Sequence, residues 1–186
     1  MQNTTETAGG SPVAWRRGYV HVYTGDGKGK TTAALGLALR AAGAGIRVFI
    51  GQFMKGIPYS ELNVLARLGG CIDIRQFGRP SYIRGDPSPD DIAAGRRGLA
   101  DIGRIIAAGH HRLVILDEAN IAVHFGIFAA EDLLDIIDAK PAAVELVITG
   151  RRADPRIIER ADLVTEMREV KHYYERGVPA RLGIEN

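Results

Sequence analysis

The sequence predicts an α/β fold, one domain with a mainly parallel β-sheet covered by helices on both faces, and three observations carry this. The chain has 186 residues, the size of a single compact domain. Short apolar runs rich in β-branched residues alternate with longer segments of helical period, the order that parallel strands joined by crossover helices require. Runs such as Leu113-Val114-Ile115-Leu116 are apolar at every position, which fits central strands buried on both sides.

The elements follow in order. Residues 1–16, opening with the polar MQNTTETAGGSP, are expected to form a flexible lead-in, and the domain is assigned to 17–186. A strand over 18–24 (GYVHVYT) runs into a helix over about 30–43. Strands at 46–53 and 71–77 enclose a helix at about 58–68. Gly78 to Pro89, with three prolines and two glycines, is irregular and reads either as a functional loop or as a plain surface connection. A helix over 89–108 leads to the strand 112–117. The next helix, about 130–138, has Glu131 and Asp132 near its start, where the dipole favours acids, and stops before Lys140-Pro141. A strand at 144–149 precedes a helix at 154–160, with Asp154 as cap and Pro155 as first helical residue. A last strand is expected at 162–168.

Composition narrows the function. With 46% hydrophobic and 25% charged residues the chain buries a real core. Glycine is in surplus, 23 of 186 or about 12% against a usual ~7%. With only 8 prolines and no repeat, that surplus signals tight turns and close backbone approaches. The net charge of +2 supplies no field to draw the molecule onto nucleic acid or a membrane, so any anion site is local. The single cysteine, Cys71, rules out an intrachain disulfide and a cysteine-rich zinc site, and is expected to be a small buried hydrophobe. No export signal and no apolar run of ~18 residues is present, so a soluble, cytoplasmic protein is expected.

Directly after the first strand comes Thr24-Gly25-Asp26-Gly27-Lys28-Gly29-Lys30-Thr31-Thr32, then the helical AALGLALRAA. Gly29, Lys30 and Thr31 satisfy the phosphate-loop pattern G-x-x-x-x-G-K-[ST], with Thr24 standing at its first glycine position. The glycines let successive N–H groups turn inward, and the helix start adds its positive dipole end. Lys30 is placed to reach a phosphate oxygen and Thr31 to ligate magnesium. The strand Leu113–Leu116 then ends in Asp117-Glu118, which puts carboxylates where a nucleotide's metal sits. Ligands of such sheets bind beyond the strands' carboxyl ends.

The ordered set TGDGKGKTTAALGLALRAAGAG, Gln52-Phe53-Met54-Lys55-Gly56, VILDEANIAV, Val147-Ile148-Thr149-Gly150-Arg151, Val170 to Gly177 and the ending Ala180 to Glu185 resembles the phosphate-loop ATP:corrinoid adenosyltransferases. The resemblance spans about residue 18 to the end. It implies a RecA-like phosphate-loop domain that moves the 5′-deoxyadenosyl group of ATP onto the Co(I) of a reduced corrinoid and releases triphosphate. It also implies a nucleotide lying reversed in the loop, with the ribose carbon free for attack. Magnesium, or manganese in its place, a flavin-type reductase and a homodimer are implied too.

Carried over by residue, Gly25, Asp26, Gly27, Lys28, Gly29, Lys30, Thr31 and Thr32 wrap the triphosphate. Thr31 and Glu118 hold the metal, with Asp117 as the alternative ligand or their support, and Lys30 and Glu118 carry the catalytic roles. Arg151 reads either as a phosphate contact or as a surface ion pair; Gln52 and Lys55 either line the nucleotide or corrinoid side or are loop polars. The segment 77–85 departs from the family's Gly-Phe-Thr-Trp-like loop, leaving Phe77 and Tyr82 as candidates for the corrinoid wall, or Phe77 for the core. A phosphate-loop ATPase or kinase releasing ADP and a non-catalytic nucleotide- or corrinoid-binding module are the rival functions. His110-His111 are expected in a solvated turn, His124 packed or on the surface, and Tyr173 and Tyr174 without a chemical role.

Overall fold

A computed structural model describes residues 15–68, 70–79 and 85–185. Its strands are β1 (Val20–Thr24), β2 (Val48–Phe53), β3 (Ile72–Phe77), β4 (Leu113–Asp117), β5 (Glu145–Thr149) and β6 (Leu163–Glu166). They form one sheet in the order β3-β2-β4-β5-β1-β6, parallel at every pairing, so all carboxyl ends share one edge.

The helices are α1 (Lys30–Gly43), α2 (Ser60–Leu65), α3 (Pro89–Ala108), α4 (Ala119–His124), α5 (Ala130–Ala139) and α6 (Pro155–Arg160). They cover both faces, as expected. On one face Ala34, Ala38 and Ala41 of α1 and Leu65 of α2 pack onto Val48, Ile50, Leu113, Ile115 and Val147. On the other, Leu99, Ile102 and Ile106 of α3, Leu133 and Ile137 of α5 and Ile157 of α6 meet Phe49, Val114, Leu116, Leu146 and Ile148. Neighbouring residues of β4 thus enter opposite cores, and all its positions are buried, which is why its sequence is apolar without alternation.

Local chemistry sets the helix starts. Ser88 and Asp91 exchange side-chain-to-backbone hydrogen bonds of 3.0 and 3.3 Å, and Pro89 opens α3. Asp154 accepts from the Arg156 N–H at 2.9 Å to start α6.

Several expectations are corrected. The helix expected at 58–68 is α2 followed by a 3-10 turn, Ala66–Leu68. The helix α4 was not foreseen, because six residues are too few to display a helical period. Cys71 is exposed: it precedes β3 on the side of Asp73, while Ile72 turns inward. His111 is no solvated turn residue, since its Nε2 pairs with the Asp73 carboxylate at 2.6 Å and its ring packs against Phe49. Within the expected lead-in, Trp15 donates its indole N–H to the Ala143 carbonyl at 3.1 Å; residues 1–14 lie outside the described residues. Among the described residues no helix is long and apolar enough to cross a membrane.

Phe77 closes the far end of the sheet against α3, and the approach is so close that a Cβ on Gly98 would lie 2.4 Å from the Phe77 ring. Gly98→Ala is therefore expected to cost roughly 1–3 kcal/mol by overpacking, read as a lower urea midpoint.

Candidate functional site

The site begins where β1 ends. Gly25 takes φ 91°, and a Cβ there would lie 2.5 Å from the Met167 carbonyl oxygen; at Gly27 the same oxygen would be 2.7 Å away. The Gly27 N–H donates to that oxygen at 2.6 Å. The loop is moulded against the chain leaving β6, and side chains are excluded there. Thr24, at the pattern's first glycine position, serves the same junction: its carbonyl accepts from the Met167 N–H at 2.8 Å and its hydroxyl from the Ala153 N–H at 3.4 Å. The loop delivers α1, whose first residue is Lys30, with the N-terminal dipole end at the loop.

Lys30 is 7% exposed, and its ammonium donates to the carbonyls of Gly25 and Gly27 at 2.6 and 2.7 Å. Burial lowers its pKa, and the charge of Arg151 adds to the effect. Lys30 and Arg151 therefore repel, while the charges of Glu118, Asp26 and Glu169 oppose that effect.

Asp117, at the end of β4, is 1% exposed and accepts four hydrogen bonds. Thr31 and Thr149 donate to Oδ1 at 2.8 and 2.7 Å. Lys55 and Gln52 donate to Oδ2 at 2.7 and 3.1 Å. The β2–β4 register sets Gln52 beside Asp117, and the β2–β3 register sets it beside Gln76, whose amide donates to Gln52 at 3.1 Å. A polar row thus crosses the carboxyl ends of β3, β2, β4 and β5.

Glu118 follows in the left-handed region, φ 61°, its N–H donating to the Thr149 hydroxyl at 3.0 Å. The turn sends its side chain into the cavity while Asp117 stays beneath. Burial, then the neighbouring Asp117, raises the Glu118 pKa, so the site favours a cation beside it.

Around these residues lies a cavity of about 910 Å³. Gly27 to Thr32 form its base, and Glu118, Ile121 and Arg151 border it at the sheet edge. One wall, from α1 and the chain around α2, is largely apolar: Leu35, Leu39, Tyr59 and Val64, with Lys55 stacked on Tyr59. Another, from the chain after β6, carries His172, Gly183, Ile184 and Glu185.

Of the residues singled out from sequence, Gly27, Lys28, Gly29, Lys30, Thr31, Thr32, Lys55, Glu118 and Arg151 line this cavity. Gly25 and Asp26 belong to the loop without lining it. Gln52 is fully buried and meets the site through Asp117. Phe77 packs in the core, 5.7 Å from the Phe53 ring, and Tyr82 falls outside the described residues. Residues not foreseen are Thr149, which the end of a neighbouring strand places on Asp117, and Asn120, whose amide holds the Gly150 carbonyl at 3.4 Å and with it the turn carrying Arg151. Tyr59 and Glu185 are the other additions; Glu185 stands inside the family-like ending, the one signal that pointed to it.

A glycine loop between strand and helix, a lysine and threonine at its exit and an acid pair two strands away define a phosphate-loop nucleotide-binding α/β protein. Residues 16–186 match the family described as ATP:corrinoid adenosyltransferase BtuR/CobO/CobP. The corrinoid adenosyltransferase of Pseudomonas aeruginosa is 36% identical over 170 residues, covering 91% of this chain and 84% of that protein. Those of Escherichia coli K12 and Salmonella typhimurium are 37% and 36% identical, each over 91% of this chain and 86% of the relative. The chain belongs to the ATP:corrinoid adenosyltransferase family.

Removing the acceptor shared by two buried donors, Gln52 and Thr149, and two half-buried ones, Thr31 and Lys55, leaves a cation and three polar groups without their partner. Asp117→Ala is expected to cost roughly 3–5 kcal/mol in urea denaturation. Adding Lys55→Met restores part of that loss by removing the stranded charge, whereas equal losses in the single and double variants would exclude this explanation.

Proposed function

We propose that the protein transfers the 5′-deoxyadenosyl group of ATP to the Co(I) of a reduced corrinoid and releases triphosphate. The observation that carries this is a single cavity with a polyanion cradle at one end, Lys28, Lys30 and Arg151, and an apolar wall at the other, Leu35, Leu39 and Val64, in a chain of this family. In the reaction cobalt supplies the electron pair, a Co–C bond forms at C5′, the C5′–O bond breaks, and the pair leaves with the triphosphate. The nucleophile arrives with the substrate. The protein's work is to hold C5′ toward cobalt and to receive charge on the leaving group.

In this proposal Gly25 to Thr32 wrap the triphosphate, and Lys28, Lys30 and Arg151 neutralise it. Thr31 and Glu118 both present hard oxygen donors at the cavity and suit a magnesium ion, which when bound neutralises further phosphate charge. Asp117, taken up by its donors, orients the Thr31 hydroxyl rather than ligating. The chain after β6 walls the loop on one side, which favours a nucleoside directed toward Lys55 and Tyr59, and hence a ribose carbon accessible to the corrinoid. Tyr82 is assigned to the corrinoid side. A flavin-type reductase as electron source, a homodimer and a cytoplasmic setting complete the proposal.

The test mixes protein, MgATP and chemically reduced cobalamin and follows the corrinoid spectrum and the phosphate product. Adenosylcobalamin with triphosphate is the expected outcome; ADP instead would assign the protein to the ATPases or kinases, and ligand binding with no turnover would make it a carrier. Lys30→Ala is expected to weaken ATP binding at least about 100-fold, a loss of roughly 2.7 kcal/mol, measured by titration calorimetry; retained affinity would place the nucleotide elsewhere.

A further inference from the structure

The wall contributed by the chain after β6 ends in an acid beside the phosphate cradle, which is electrostatically the wrong sign for a polyanion site. The Lys28 ammonium donates to the Ile184 carbonyl at 2.9 Å and stands 3.7 Å from the Glu185 carboxylate. Glu185 is not a loose surface acid. The Tyr173 hydroxyl donates to it, as do the Arg181 backbone N–H at 2.8 Å and the Arg181 guanidinium at 3.3 and 3.4 Å. The Arg181 guanidinium lies over the Tyr173 ring at 5.0 Å, which ties the two donors together. The carboxyl group is held down to about 2, by the Tyr173 hydroxyl first and Arg181 next, and is a permanent anion at neutral pH. Lys28 is 42% exposed and flexible enough to exchange partners, whereas the body of the Tyr173–Arg181–Glu185 cluster is anchored to itself.

We propose that Glu185 is an internal counter-ion of the phosphate loop, which an incoming polyphosphate displaces from Lys28 and which competes for that lysine when triphosphate is to leave. The inference rests on the function proposed above only in taking a polyphosphate as the ligand. Lys28 is the shared cation, and polyphosphate oxygens replace the Ile184 carbonyl and the Glu185 carboxylate around it. The segment 178–185 then loses the tie that Lys28 gives it and moves away from the loop; its return offers the ammonium a partner within the chain. Glu185 is in this sense a positioning residue, acting on the ligand through Lys28.

The test uses inorganic tripolyphosphate with the full chain. Glu185→Gln keeps the shape and removes the competing charge, so affinity for tripolyphosphate is expected to rise roughly two- to fivefold, the range set by a partly exposed ion pair. In a Lys28→Ala background the same substitution is expected to change affinity by less than about twofold, because the shared cation is gone. In the unaltered protein, saturating tripolyphosphate is expected to speed amide exchange over 178–185. Equal or weaker binding by Glu185→Gln, a gain that persists without Lys28, or exchange in 178–185 that does not change would each overturn the proposal; the exchange measurement needs no variant and stands if Glu185→Gln does not fold. No corrinoid enters these measurements, so loss of adenosyl transfer alone bears on the proposed reaction and leaves this inference standing.

Discussion

Everything at the carboxyl edge of the sheet is arranged around one buried carboxylate. Asp117 accepts from two threonines, a glutamine and a lysine that come from four different parts of the chain: the start of α1, the end of β5, the end of β2 and the turn beyond it. A charge with 1% exposure is tolerable only when its lone pairs are met, and here they are. Satisfying it fixes the phosphate-loop helix relative to the sheet, and it fixes the direction of Lys55. It also commits Asp117 to the protein. The carboxylate that lines the cavity is its neighbour Glu118, turned outward by a left-handed backbone.

The strain at that edge is not confined to Glu118. Met54 at φ 56° follows β2 and Arg152 at φ 55° follows the turn after β5, so three of the sheet's exits hold non-glycine residues in the sparsely populated left-handed region. Each bends the chain close to where it leaves the sheet, and of the three only Glu118 lines the cavity, at the start of α4. Packing of the two cores holds these turns in place.

Much of this was legible in the sequence, for identifiable reasons. Buried parallel strands write themselves as unbroken apolar runs, so Leu113–Asp117 was plain; the glycine–lysine–threonine exit of the first strand marked the loop because few residues permit that backbone. The acid pair was seen, and the family resemblance already put Glu118 ahead of Asp117; what the sequence did not show is the backbone turn at Glu118 that faces it to the cavity and leaves Asp117 beneath. Thr149 and Asn120 lay within the quoted family-like segments but received no role, because a threonine ending a strand and an asparagine in a short helix are unremarkable until the fold brings them to a carboxylate and a turn. Cys71 was misjudged by one residue of strand phase: alternation fixes which residues share a side, not where the strand begins. Phe77 closes a strand whose alternation sets it on the side of Asp73 and Arg75, and that phase does not separate a core ring from a pocket ring.

The contact between the phosphate loop and the chain after β6 has a bearing on how the molecule comes into being. Residues 25–27 take their shape against Met167 and Arg168, about 140 positions later, through the Gly27-to-Met167 hydrogen bond and the excluded space at both glycines. The strand that bears the loop also pairs with β5 and β6, both made late. During synthesis the phosphate loop emerges well before the segments that shape it, so it reaches its final form only after the cost of closing a long chain loop is met. The shape of the phosphate loop thus waits on β6 and the chain that leaves it, which couples the loop's final form to completion of the sheet.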